Sequence, residues 1–153
     1  MGKKLYLDTD ADLGLLNGRI VAIVGYGTQG TARGLNMRDS AVEVVVGAEP
    51  GSSDWVRASA DGFRVMTVGE AAKTADIFEV QIPDMAYRCA DAYNAEIKPS
   101  HKPGDVVCLS SAFNYYYGHM EAPAGVDALV TAAKGRARPS AASMCVAAAC
   151  RGS

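Results

Sequence analysis

With 153 residues, the chain can bury one real core and is too short for two domains of ordinary size. A formal net charge of -2 and a pI near 5.6 exclude the clustered basic footprint by which proteins displace counterions from nucleic acid. Four cysteines without a C-x-x-C spacing and two histidines, His101 and His119, argue against a zinc site and for thiols kept reduced in the core.

The opening MGKKLYLDTDADLGLL is a polar lead-in without the apolar core of a secretory signal, and no segment approaches the ~20 apolar residues of a membrane span. A cytoplasmic protein away from membranes is the expectation. Residues 19–24 form a β-branched run ending at glycines, which reads as a buried strand, and residues 28–38 read as a helix. The next strand is 42–46 (VEVVV), followed by a polar, glycine-bearing link over 49–54 and a weak helix over 55–61. After the Asp61-Gly62 turn come a strand at 63–66, a short helix at 68–74 and a strand at 77–82 stopped by Pro83. A longer helix over 84–97 is closed by Pro99, and 105–109 and 126–131 are two further strands.

Strands alternating with helices predict a single doubly wound α/β domain of Rossmann type, with a mostly parallel sheet and helices on both faces. Residues 1–135 form this domain. The tail, 136–153, is rich in small residues, and its apolar run at 144–150 is either a last strand or a frayed end.

Three local features sit awkwardly in that scheme. Glu79 and Gln81, two apart on an inner strand, project from one face, so either that face is uncovered or Glu79 has a partner. Gly34 costs the first helix about 1 kcal/mol relative to alanine, and Ala41 replaces the glycine by which such helices often exit. The run Tyr115, Tyr116, Tyr117, near His119, reads as extended chain with alternating rings. Packing at a loop or partner surface suits it better than base stacking.

The most informative stretch is VAIVGYGTQG at 21–30, in which Gly25, Gly27 and Gly30 are spaced G-x-G-x-x-G between a strand and a helix. Gly25 permits the tight turn, Gly27 lets backbone approach a pyrophosphate, and Gly30 lets the helix pack on the strand. Tyr26, Thr28 and Gln29 complete the loop, and free N–H groups at the helix start meet the phosphates. Glu49 follows the next strand, 19 positions beyond Gly30. Its carboxylate suits an adenosine ribose diol and repels a 2′-phosphate, and Asp54 adds a second negative charge. The pair argues for NAD, with NADP the alternative.

The order DADLGLLNGRIVAIVGYGTQG, LNMRDS, VVVG with a Gly-Ser and Trp55, EAAKTADI, IPD, KPGD and then FN resembles the N-terminal domain of ketol-acid reductoisomerase, from about residue 2 to about 135. The resemblance implies an oxidoreductase of branched-chain amino-acid biosynthesis. Such an enzyme moves an alkyl group within an acetohydroxy acid on two magnesium ions, then reduces the product to a dihydroxy acid with a hydride from NADPH. It also implies a missing partner: the knotted helical C-terminal domain that supplies the metal-binding carboxylates. The present chain ends at Ser153, so magnesium has no expected ligands in it and the isolated chain is expected not to isomerise. A non-catalytic NAD-binding module, or a drifted fragment of the family, is the alternative. A sheet edge or face left uncovered would favour self-association into a homo-oligomer.

Set beside the family pattern, Glu49 and Asp54 fall where an arginine and a phosphate-binding serine are usual, while Ser52 keeps a serine and Pro83 keeps the IPD segment. Ser111, in Ser111-Ala112-Phe113-Asn114, stands where the family has a histidine. Lys134 keeps the family's Lys-Gly and is a possible catalytic group, although the following Pro-Gly has become Arg136-Ala137. No catalytic residue is assigned with more weight than these.

Overall fold

The computed structural model describes residues 10–83 and 88–132. Six strands form one fully parallel sheet: β1 (Ile20–Val24), β2 (Glu43–Gly47), β3 (Arg64–Met66), β4 (Ile77–Val80), β5 (Val106–Leu109) and β6 (Asp127–Val130). Their spatial order is β3-β2-β1-β4-β5-β6. The chain therefore builds outward from β1 in one direction, crosses over, and builds outward again in the other.

β1 is central because its side chains are apolar on both faces, the condition for a strand covered on two sides. Val21, Ala22, Ile23 and Val24 are all buried. One face, carrying Ala22, Val24, Phe78, Val80, Val107 and Leu109, packs against α3 (Val68–Thr74) and α4 (Arg88–Ala92). On the other face, Val21, Ile23, Val46, Ile77 and Cys108 join side chains of α1 (Thr28–Asp39) and α2 (Ser53–Ala60). Each large apolar side chain buried in these layers contributes ~1.5–3 kcal/mol.

Most elements lie where the pattern puts them, and the departures have local causes. Helix α3 coincides with its prediction because Thr67 and Glu70 make a reciprocal capping box: the Thr67 hydroxyl accepts from Glu70 N–H and the Glu70 carboxylate accepts from Thr67 N–H. The predicted helix over 84–97 differs. Among the described residues, α4 gives way to a π-helical turn at Tyr93–Ile97 and a tight 3₁₀ turn at Lys98–Ser100. Pro99, which has no N–H to donate, closes that ladder. The lead-in contains a 3₁₀ turn, Leu13–Leu16, begun by the Asp12 carboxylate accepting from Gly14 N–H at 2.8 Å.

The tyrosine run is not extended. Residues Phe113–Tyr116 form a short helix, α5, started where Ser111 Oγ accepts from Phe113 N–H at 3.2 Å. A hydroxyl two residues upstream favours a turn over a strand, which the consecutive aromatics concealed. The uncertainty over Glu79 is resolved by a partner: its carboxylate pairs with Arg33 of α1, and both side chains are buried. Gly34 also has a structural reason. A Cβ there would lie 3.1 Å from the Ile23 Cδ1 and 3.3 Å from the rings of Phe63 and Tyr26, so the helix-propensity cost permits close packing of α1 on the sheet.

The tail beyond residue 132, with its candidate strand at 144–150, lies outside the described residues, as do Lys134, Cys145 and Cys150.

Candidate dinucleotide-binding site

Strands β1, β2 and β4 end level with one another, Val24 standing opposite Gly47 on one side and Val80 on the other. Between β1 and β4 the strand order reverses, and in open parallel sheets the crevice at that reversal is where ligands bind. Gly25 leaves β1 with φ of 92°, a conformation that side chains disfavour. A Cβ on it would also come within 3.1 Å of the Gln81 carbonyl carbon. The loop thus hugs the end of β4 as it turns into the crevice.

Helix α1 starts at Thr28 with Gly27 as N-cap and no side chain capping it. Its first internal bond is from Thr31 N–H to the Gly27 carbonyl, at 2.9 Å. The N–H groups of Thr28, Gln29 and Gly30 consequently have no acceptor within the helix, and the positive end of its dipole is uncapped. A Cβ added to Gly27 would meet nothing within 4 Å, whereas at Gly30 it would lie 2.2 Å from the Gly25 carbonyl oxygen. One glycine faces open space and the other is required by packing. The Gln29 Oε1 is buried without a hydrogen-bond partner among the described residues. An open cradle of unpaired donors beside an orphaned acceptor suits a phosphorylated ligand bearing hydroxyl or amide groups.

Tyr26 contributes differently from the other loop residues. Its ring is fully buried, in edge contact with Phe63, and its hydroxyl donates to Asp61 Oδ2 at 2.9 Å. Burial first, then Asp61, pushes the phenol's pKa above the usual range. The whole residue, backbone included, is closed to a ligand. The Tyr26 N–H donates to Asp54 Oδ2 at 2.7 Å, and its carbonyl accepts from Arg57 Nη1 at 2.7 Å.

Glu49 is exposed just after β2, its carbonyl accepting from Ser52 N–H at 3.1 Å in a turn. The Ser52 hydroxyl caps α2 by accepting from Trp55 N–H at 3.2 Å. Pro83 is exposed beyond the end of β4, on the crevice side of the sheet's ends. Ser111 follows β5, with its hydroxyl engaged by Phe113 N–H. The structure therefore gathers the glycine loop, Glu49, Ser52 and Asp54 along the ends of β1 and β2. Arg57 was missed in the sequence, yet its i,i+3 spacing from Asp54 within a helix was the available signal; the two side chains lie 3.6 Å apart. Among the described residues, no group of three or more His, Cys, Asp or Glu could hold a metal ion, and no magnesium step is assigned to them.

A parallel sheet in this order, with a glycine-lined loop between its first strand and the following helix, defines a domain of the Rossmann type, the class of fold that binds dinucleotides. Residues 15–141 match the family described as "Acetohydroxy acid isomeroreductase, NADPH-binding domain", and the chain belongs to that family. It is 43% identical over 132 residues to a ketol-acid reductoisomerase (NADP(+)) of Kocuria rhizophila, covering 86% of this chain and 38% of the relative. To the protein of the same description from Akkermansia muciniphila it is 47% identical over 128 residues, covering 84% and 38%. Among solved structures it resembles an NADH-preferring ketol-acid reductoisomerase from an uncultured archaeon, with a TM-score of 0.80 and 31% identity over 88% of this chain and 42% of that one. The chain thus spans 38% of the length of these curated relatives. It corresponds to their cofactor-binding part. No helix among the described residues is long and apolar enough to cross a membrane.

Proposed function

We propose that this chain is the cofactor-binding half of a ketol-acid reductoisomerase-type oxidoreductase and that it holds NAD in preference to NADP. The open cradle at Gly27, facing unpaired N–H groups at the start of α1, carries the reading. Gly25, Gly27, Thr28, Gln29 and Gly30 hold the pyrophosphate through backbone, with Tyr26 shaping the loop. Glu49 accepts from the ribose diol, and its charge opposes a 2′-phosphate, with Ser52 and Asp54 beside it in the same connection. Pro83 borders the crevice toward the nicotinamide side. When bound, the dinucleotide supplies a hydride; the protein's part is to orient it at the strand ends.

Conversion of an acetohydroxy acid to a dihydroxy acid also needs the magnesium-binding carboxylates that the family resemblance places in a further domain. Assayed alone with magnesium and acetolactate, the 153-residue chain is expected to bind nucleotide without turnover. Ser111 in place of a histidine favours the second reading, a non-catalytic NAD-binding module; restoring activity by adding the C-terminal half of a relative would reject it. Lys134 is proposed as the remaining candidate for a catalytic group.

The direct test excites Trp55, the sole tryptophan, while NADH and NADPH are titrated separately. Saturable quenching with NADH at lower concentration than with NADPH is expected. A flat response to both at millimolar concentration would sink the nucleotide reading.

A further inference from the structure

Helix α2 grips a single loop residue from three directions. Asp54, in its first turn, accepts from the Tyr26 N–H at 2.7 Å, and Arg57, one turn on, donates to the Tyr26 carbonyl at 2.7 Å. Asp61, the C-cap, accepts from the Tyr26 hydroxyl at 2.9 Å. Tyr26 lies between Gly25 and Gly27, the two least constrained residues of the loop, so fixing its peptide groups fixes the orientation of the cradle on either side. Both oxygens of the Asp54 carboxylate are occupied within the protein. One holds the loop, and the other lies 3.6 Å from the Arg57 guanidinium. Arg57 thereby offsets much of the charge that Asp54 would otherwise present to a ligand. Glu49 is in the opposite situation, exposed and with no side-chain partner among the described residues.

We propose that Asp54 is a positioning residue that fastens the glycine loop to α2, and that selection against a 2′-phosphate falls to Glu49 alone. The second half of this statement rests on the nucleotide reading above; the first does not. The two carboxylates that share one connection then have separate roles, one setting loop geometry for either nucleotide and the other choosing between nucleotides.

The test uses the full chain and three variants, Asp54→Ala, Asp54→Asn and Glu49→Gln. Hydrogen exchange of the Tyr26 amide is followed without ligand, and NADH and NADPH affinities are measured by calorimetry. Loss of a charge-assisted hydrogen bond should let the Tyr26 amide of Asp54→Ala exchange about tenfold faster and weaken both nucleotides by a similar factor. Asp54→Asn keeps an acceptor oxygen and should recover most of both losses. Glu49→Gln should leave Tyr26 exchange unchanged and narrow the gap between NADH and NADPH. Unchanged exchange in Asp54→Ala would overturn the fastening role. A larger shift of nucleotide preference in Asp54→Asn than in Glu49→Gln would overturn the division of labour. If the unsubstituted chain binds neither nucleotide, the preceding functional reading and the role of Glu49 fall together, and the exchange measurement alone decides the role of Asp54.

Discussion

Glu79 stands in the middle of a parallel sheet, 5% exposed, with the guanidinium of Arg33 from α1 against it and the Gln81 amide donating to the same oxygen at 2.9 Å. Arg33 also donates to the Thr131 hydroxyl at 2.6 Å, so one cation joins α1, β4 and the segment after β6. Burial drives the pKa of Glu79 up, against the pull of Arg33. Ion pairs so placed add little over apolar packing, but removing one partner strands the other. Arg33→Met should therefore lower unfolding free energy by about 3–5 kcal/mol in urea titrations. The loss should shrink as pH falls toward the ordinary glutamate range, because a protonated Glu79 no longer needs a counter-charge. The double variant Arg33→Leu with Glu79→Leu should recover most of it. Equal losses in the single and double variants would show that Arg33 acts through packing alone.

At the scale of elements, the exit from α1 carries the clearest local strain. Val42 N–H donates to the Met37 carbonyl at 3.0 Å and Ala41 N–H to Arg38 at 2.9 Å, the paired bonds of a Schellman turn, with Met37 and Val42 in one apolar cluster. The turn places Ala41 at φ of 59°, where a Cβ is disfavoured by about 1–2 kcal/mol. Ala41→Gly should raise stability by about 1 kcal/mol, read as a higher urea midpoint at unchanged slope. The alanine was legible as a missing glycine from the sequence alone, because the geometry of a helix exit is local. The strands themselves and the glycine loop were legible for a similar reason, since short β-branched runs and turn residues carry their own local signals. What could not be read were contacts made across the chain: Arg33 with Glu79, and α2 with Tyr26. The site was correspondingly half visible. Gly25, Gly27 and Gly30 have the spacing of a phosphate loop, but whether Asp54 faces a ribose or the loop depends on how α2 lies over β1. The helical turn at Phe113 was hidden by its neighbours, three tyrosines whose bulk says little about backbone conformation.

For the molecule as a whole, the two halves of the sheet are anchored at opposite ends. The crevice end carries the glycine loop, while the other end, where β5 begins, is closed by a buried histidine. His101, whose side chain is fully buried, has Asp105 Oδ2 at 3.4 Å from Nδ1, the Tyr93 hydroxyl at 3.2 Å from Nε2, and Phe78 in edge contact. A carboxylate only accepts, so Nδ1 carries the proton and Nε2 receives the tyrosine O–H; the neutral ring satisfies both neighbours. Burial lowers the histidine pKa more than Asp105 raises it, and burial pushes Tyr93 up to about 12. Because the folded state binds the His101 proton less readily than the unfolded chain, this group's stabilisation is fully present above the unfolded value of about 6.5 and is lost as pH falls through the lowered folded value. Glu79 works in the opposite sense, its raised pKa weakening the fold as pH climbs above the ordinary glutamate range, so the raw stability profile mixes two slopes. Comparing the protein with His101→Leu separates them. The variant should be less stable at neutral pH, since Tyr93 loses its acceptor and Asp105 a donor. Below about pH 6.5 the Tm of the unsubstituted protein should fall more steeply, and the gap between the two should close. Parallel Tm profiles from about pH 7.5 to about pH 5 would mean that His101 titrates alike in the folded and unfolded chain, and that the polar cluster beneath β5 serves packing alone.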